Sequence, residues 1–305
     1  MQQFEKQDGE RKAGTDSVDE RPVEEKKTSP TGNVAEKVSE NVQVAKENVE
    51  REVEKGRIPW YRSRKRATLL LIAYAIQLSL FGILAWWVHV NPVLNIDVLI
   101  TKEFQENQNP ILHGTMAFVS FFGNVGLLFS GLVLLAVLFF WFVRLRLEAA
   151  VMAVEVIVSG ILNVALKVLV NRPRPTAKLV DVFQIATGQS FPSGHVMSYV
   201  AFFGLLFSFG VILFSGKSLW HKLLLIVPAF FVVTVGPSRI YLGDHWASDV
   251  LGAYLFGGVI LGITIWIYLN LKARGVLSSA NAPGYHPDPQ KRAKDQRREH
   301  AKAHS

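Results

Sequence analysis

Two histidines, four cations and two carboxylates fall in three short polar segments of a largely apolar stretch of the chain, and this set of groups suits phosphoryl transfer. The first segment runs from Lys167 to Asn171-Arg172-Pro173-Arg174-Pro175. Its prolines stop a helix and leave Arg172 and Arg174 extended, so either guanidinium could fork onto an anion. Lys167 ends an apolar run, where an ammonium either snorkels to the membrane surface or serves a function. The second segment is Phe191-Pro192-Ser193-Gly194-His195. Ser193 suits a helix N-cap, Gly194 allows close backbone approach, and the first amides of the helix that follows would point at an anion. The third runs from Ser238-Arg239 through Asp244-His245 to Asp249. His245 and Asp249 stand four apart, so on a helix they would share a face. The carboxylate would accept one imidazole N–H and leave the other nitrogen as a neutral nucleophile or base, with no serine required between them. Asp244 is offset and is expected to be a loop residue outside the site.

Lys167, Arg174 and Arg239 would together face a phosphate dianion, with two imidazoles left for nucleophilic and acid roles. That chemistry needs no metal. The two histidines with one aspartate could instead ligate zinc or iron, but three cations nearby would repel a divalent ion, so no metal is expected. The chain has no cysteine, which excludes disulfides, thiolate nucleophiles and cysteine-held metal centres.

These groups need elements to position them, and the composition names the elements. Residues 67–271 carry only 18 of the 58 Lys, Arg, Asp and Glu side chains, too few to cover a water-soluble globule. Six stretches approach the roughly 20 apolar residues of a membrane helix: 67–88, 125–143, 149–169, 196–214, 222–235 and 246–269. The fifth is short and is expected to extend towards Arg239. The fold class expected is all-α, a six-transmembrane-helix bundle. Arg57, Arg62, Arg64, Lys65 and Arg66 precede the first span, and Arg144, Arg146, Lys217, Lys222, Lys272 and Arg274 flank later ones, which sets both termini in the cytoplasm. The basic excess is therefore topology charge, and no nucleic-acid partner is expected. Residues 89–114 would form an outer loop. Lys167, Arg172, Arg174, Lys178 and Arg239 fall outside, where the rule disfavours them, so chemistry must explain them. Three regions follow: a charged cytoplasmic extension over 1–66, the membrane domain over 67–271, and a basic, disorder-like cytoplasmic tail over 272–305. In the extension Val34, Val38, Val42, Ala45, Val49 and Val53 recur at helical spacing, which predicts one amphipathic helix. No cleavable signal peptide is expected.

The three segments resemble, in order, the signature of the type-2 phosphatidic acid phosphatase family, the lipid phosphate phosphatases: K-x6-R-P in Lys167 to Arg174-Pro175, P-S-G-H in Pro192 to His195, and S-R-x5-H-x3-D in Ser238-Arg239, His245 and Asp249. All eleven fixed positions match. The resemblance covers about residues 67–271 and implies a multi-pass cell-membrane enzyme, without metal or organic cofactor, that hydrolyses a lipid phosphate reaching it from the bilayer on the extracytoplasmic side. It implies that His245 attacks phosphorus to give a phosphohistidine, that Asp249 orients it, and that His195 protonates the leaving oxygen. It further implies that Lys167, Arg174, Ser193, Gly194 and Arg239 hold the phosphoryl oxygens. Arg172 matches no fixed position and is expected as a secondary phosphate contact. Phosphatidic acid, phosphatidylglycerophosphate and undecaprenyl diphosphate all fit, and a broad bacterial activity that includes a polyprenyl diphosphate is the expectation. Transfer of the phosphoryl group to another lipid, and a lipid transporter that keeps the anion site, are the alternatives. The loop from Thr176 to Phe191, with Leu179, Val180, Phe183 and Ile185, is either a lid or a plain connection. Glu155, within the third span, is expected to bond a neighbouring helix.

Overall fold

The computed structural model describes residues 38–44 and 64–277, apart from 125, 185 and 215–218. Within the amphipathic stretch expected over 34–53, residues 38–44 are helical. The remainder of that stretch and most of the basic tail lie outside the described residues. Contacts divide the chain into Met1–Glu40 and Asn41–Ser305, and the helices below belong to the second unit.

Among the described residues from Arg64 onward, eight helices follow one another: α1 Arg64–Val90, α2 Asn95–Glu106, α3 Pro110–Asn124, α4 Gly126–Phe142, α5 Arg146–Val170, α6 Gly194–Leu213, α7 Leu219–Tyr241 and α8 Ala247–Ala273. There is no strand among the described residues. Among the described residues five of these helices (α1, α5, α6, α7 and α8) are long and apolar enough to cross a membrane, and the bent α3–α4 pair makes a sixth if it is one broken span rather than a re-entrant loop. The all-α membrane-bundle reading therefore holds, with five or six spans, and the short apolar stretch expected over 222–235 does extend to Tyr241.

Hydrophobic side chains point outward as well as inward, as a lipid solvent demands. Leu69 and Leu71 of α1 are 65% and 69% exposed, and Leu169 of α5 is 72% exposed, which marks lipid-facing surfaces. The core is built around α6, whose Val196, Met197, Tyr199, Phe202 and Leu205 are buried. A wider π-helical turn at Val200–Gly204 interrupts it, set against Gly257 of α8. Several polar groups inside the bundle bond across helices: Gln77 donates to Leu255 O at 2.8 Å, Tyr199 to Val119 O at 2.6 Å, and Thr264 to one oxygen of the Glu155 carboxylate. Glu155 thus bonds a neighbouring helix, as its sequence position suggested. At the far end of α5 and α8, Glu148 accepts from Tyr268 at 2.9 Å and pairs with Lys272.

One expectation fails. The stretch 89–114 is not a loop: it holds α2 and the start of α3. Hydropathy missed α2 because its packed face is polar. Asp97, Thr101 and Gln105, spaced by four, are buried, while Ile96 and Leu99 are 57% and 64% exposed. The polar face exists to hold the chain beyond α5. Gln105 donates to Asp181 O at 2.7 Å and to Tyr241 O at 2.9 Å, and accepts from Asp181 N at 3.0 Å.

Gly243 makes the adjoining turn. Its φ of +71° is the left-handed region that glycine occupies at least cost, and a Cβ there would strike the Asp181 carbonyl. Phe183 N then donates to Leu242 O at 3.0 Å, and Ser190 N to Arg172 O at 2.7 Å, so the 171–193 segment is laced down at both ends. Val180 is buried and Phe183 stacks on Tyr241. Ile185 lies outside the described residues.

Gln105→Ala removes three hydrogen bonds, one buried and two part-buried, to the Tyr241 carbonyl and the Asp181 carbonyl and amide. It should destabilise the protein by about 1–3 kcal/mol, read as a lowered thermal midpoint in detergent. A midpoint equal to that of the parent would show that α2 does not hold the segment.

Candidate active site

Each polar segment lies where helices end, and the ends meet at one side of the bundle. α5 stops at Asn171, whose φ of 48° is left-handed and whose N–H bonds Lys167 O at 2.9 Å. Pro173 and Pro175 then keep the chain extended. Lys167 stays on the last turn and donates to Gln189 O at 2.6 Å. Four residues earlier on the same face, Asn163 donates to Pro192 O at 3.3 Å and so docks the start of α6 against α5. A Cβ on Gly194 would lie 3.1 Å from Asn163 Oδ1, which explains the glycine in this close approach.

Ser193 occupies the N-cap position of α6, as expected, but its hydroxyl makes no cap bond. It is buried with no hydrogen-bond partner, and so are His195 Nε2 and Arg239 Nε. Three polar atoms from the ends of two helices are thus unspent, which is unusual among buried groups. The remaining Arg239 donors are held: Nη1 by Ser120 and Asn124, the latter at 3.1 Å, and Nη2 by Asp244 at 2.9 Å. Asp244 is therefore not a bystander. It is 2% exposed and neutralises a buried guanidinium. Ser120, Gly123 and Asn124 all come from the end of α3, and a Cβ on Gly123 would strike the His195 ring. Asn124 also donates to Gln184 Oε1 at 2.8 Å.

His245 and Asp249 do meet, with Nδ1 and Oδ2 at 3.4 Å, although not on one helix face. His245 precedes α8, whose N-cap is Trp246, and Asp249 folds back to accept the Trp246 N–H at 2.9 Å. The helix cap therefore brings the pair together. A serine does intervene: Ser190 Oγ donates to Asp249 Oδ2 and lies 3.4 Å from His245 Nδ1. On the other side of the ring, Arg174 Nη1 is 3.3 Å from Nε2 while it donates to Asp244 O at 2.9 Å. A guanidinium has no lone pair to offer, so Nε2 must be the accepting nitrogen and the proton must sit on Nδ1, towards Asp249. Burial, and then the charges of Arg174, Lys167 and Arg239, hold the His245 imidazole well below its ordinary pKa, opposed by a hydrogen bond with the Ser190 backbone.

Arg172 is the second correction. A phosphate contact is the sequence expectation, yet Arg172 is 1% exposed and each of its three guanidinium nitrogens is engaged elsewhere. Nε donates to Pro92 O at 2.9 Å, Nη1 to Ser248 Oγ at 2.7 Å and Asp249 Oδ1 at 2.6 Å, and Nη2 to Asp97 Oδ2 at 2.7 Å. All eight residues named from the signature (Lys167, Arg174, Ser193, Gly194, His195, Arg239, His245 and Asp249) belong to this one constellation. Sequence reasoning missed Asp97, Ser120, Asn124 and Ser190. The only available signal for Asp97 was its polar four-residue spacing with Thr101 and Gln105. Beside the site lies a cavity of about 280 Å³ walled by Arg174, Val182, Gln184 and Asp244, among others.

Such a constellation at the ends of membrane helices defines a class, the membrane enzymes that act on phosphate esters. Residues 148–273 match the PAP2 superfamily. Phosphatidylglycerophosphatase B of Bacillus subtilis is 32% identical over 178 residues, which are 58% of this chain and 85% of that protein. Undecaprenyl-diphosphatase of Sulfolobus acidocaldarius is 28% identical over 200 residues, 64% of this chain and 90% of its own length. The crystal structure of a transmembrane PAP2-type phosphatidylglycerolphosphate phosphatase from Bacillus subtilis superposes with a TM-score of 0.53 at 26% identity, covering 64% of this chain and 94% of that one. The chain belongs to the PAP2 superfamily: it is a multi-pass membrane protein and a phosphatase, a hydrolase of phosphate esters.

A histidine held neutral by its surroundings should keep working where a free imidazole, with a pKa of about 6.5, is already protonated. The acid limb of kcat/KM, with the substrate's own phosphate ionisation divided out, should therefore fall below pH of about 6.5. A limb at or above that value would mean that His245 is not the group that must be unprotonated.

Proposed function

We propose that this protein hydrolyses a lipid phosphate or diphosphate at the extracytoplasmic membrane face through a phosphohistidine formed on His245, without a metal. The observation that carries the reading is the His245 ring: Nδ1 is anchored towards Asp249 and Ser190 while Nε2 faces Arg174 among the charges of Lys167 and Arg239. An anion drawn to those cations meets the one imidazole nitrogen that carries a lone pair. Lys167, Arg174, Ser193, Gly194 and Arg239 hold the phosphoryl oxygens, and the partnerless Ser193 Oγ and Arg239 Nε are donors of the right kind. His195, whose Nε2 is also unspent, protonates the leaving oxygen, and water then attacks the phosphohistidine to release phosphate. Three cations supply the charge stabilisation that a metal supplies elsewhere, and they would repel a divalent ion.

The reactive groups sit at helix ends, so the substrate slides in from the bilayer with its headgroup at the interface. The relatives named for phosphatidylglycerophosphate and undecaprenyl diphosphate support a lipid of this kind. Basic residues cluster at the opposite ends of the spans, which supports an outside position for this face and cytoplasmic termini.

Purified protein with excess EDTA should release phosphate from phosphatidylglycerophosphate, phosphatidic acid or undecaprenyl diphosphate. His245→Ala should lower kcat by about 10³-fold or more with its fold intact. No release from any of the three by a folded sample, or release that EDTA abolishes, would defeat the reading.

The acid role predicts a split. His195→Ala should slow an alkyl phosphate by about 10²-fold or more but leave an activated aryl phosphate nearly unaffected, because a good leaving group needs no proton. Equal losses on the two substrates would remove His195 from that role.

A further inference from the structure

A buried chain of charge runs from α2 into the site. Asp97, Arg172, Asp249 and His245 are each at most 1% exposed. Arg172 bridges the two carboxylates, through Nη2 to Asp97 at 2.7 Å and Nη1 to Asp249 at 2.6 Å. Ser248 closes the link from behind. Its N–H and Oγ donate to Asp97 at 2.9 and 2.6 Å, and its Oγ accepts from Arg172 at 2.7 Å.

We propose that Asp97 and Arg172 are positioning residues of the reaction: Arg172 fixes the Asp249 carboxylate, and Asp97 offsets the guanidinium charge so that Asp249 remains a net negative group facing His245. The inference rests on the function proposed above. An arginine paired with Asp249 alone would fix its geometry but cancel its charge. The histidine would then face Arg174 of the extended segment, Lys167 of α5, Arg239 of α7 and, when protonated, His195 of α6, with only Asp244 of its own loop as a counter-charge, itself bound to Arg239. Two carboxylates on one guanidinium leave one negative charge over, and Asp249 is the carboxylate that touches the imidazole. That charge is needed when phosphoryl transfer makes the ring cationic. Ser248 is the second residue of α8, so Asp97 also sets the start of the helix whose first turn carries Asp249.

A plain staple of α2 onto the bundle would change stability alone. The test therefore measures kcat, KM, the acid limb and inhibition by inorganic phosphate, with a thermal midpoint for each sample, on the wild type, Asp97→Asn, Asp249→Asn, the double variant and Arg172→Lys. Asp97→Asn should lower kcat about tenfold or more with KM and the inhibition constant for phosphate within about threefold. Its acid limb should move to lower pH, because removing a negative charge disfavours the imidazolium. The double variant should be no slower than Asp249→Asn, since Asp97 acts through Asp249. Arg172→Lys keeps a cation that cannot fork onto both carboxylates, and should lose kcat with phosphate inhibition unchanged; it decides the matter if Asp97→Asn does not fold.

Wild-type kcat and acid limb in a folded Asp97→Asn, or multiplied losses in the double variant, would overturn the proposal. So would phosphate inhibition that weakens in step with kcat, the mark of a direct phosphate contact. An inactive wild type removes the proposed function and this inference with it, whereas an active wild type beside an unaltered Asp97→Asn removes the inference alone.

Discussion

Lys167, Arg174 and Arg239 are drawn together at the end of a bundle whose walls are apolar, and their repulsion must be offset by whatever chain lies nearby. The path of residues 171–193 follows from that requirement. Lys167 is held by the carbonyl of Gln189, Arg174 by those of Thr187, Gly188 and Asp244, and Arg239 by the Asp244 carboxylate with Ser120 and Asn124. Most of these partners are dipoles rather than charges. They keep the cations from being uncompensated without neutralising them, so positive potential remains for an anion. A set of three carboxylates in the same places would have given a more stable bundle end and no anion site.

The neighbouring constraint is the histidine, which must stay neutral and in one tautomer among those cations. Asp249 does this while it also caps α8, accepting the Trp246 amide with the same oxygen that faces Nδ1. Helix geometry and site geometry are therefore one arrangement. A change in where α8 begins would turn the imidazole, and a change at Asp249 would loosen the first turn of the helix.

How much of this could be read in the sequence depends on what each residue's alternatives were. Lys167, Arg174 and Arg239 were legible because they fall at the span ends opposite the basic clusters, where the positive-inside rule gives them no role and chemistry does. His245 and Asp249 were legible by spacing, though the contact comes from a capping turn rather than a shared helix face. Arg172 was misread because a guanidinium suits a phosphate and a carboxylate equally, and only the fold brings Asp97, 75 residues away, to its side. Asp244 stands off the spacing shared by His245 and Asp249, and only the fold brings the Arg239 guanidinium to it. Helix α2 was hidden because a hydropathy scan looks for apolar buried faces, and this helix buries Asp97, Thr101 and Gln105 instead. The α3–α4 pair shows another limit: composition gave the apolar run, while the 75° bend that sets Ser120, Gly123 and Asn124 beside Arg239 and His195 is a tertiary feature.

Arg174 joins the two constraints. Its Nη1 lies on the His245 nitrogen that attacks phosphorus in the proposed reaction, so the lone pair is covered while the guanidinium stays there. Phosphoryl oxygens are better acceptors for a guanidinium than an imidazole nitrogen, because both partners are charged and the geometry can be bidentate. In the proposed reaction an arriving anion would turn the donors of Arg174 towards oxygen and would uncover Nε2 in the same motion. Until then the guanidinium protects that nitrogen from protonation, since a cation at 3.3 Å makes a second positive charge costly. In that reaction the residue that recognises the phosphate would also release the nucleophile, which would tie exposure of the reactive nitrogen to occupancy of the site.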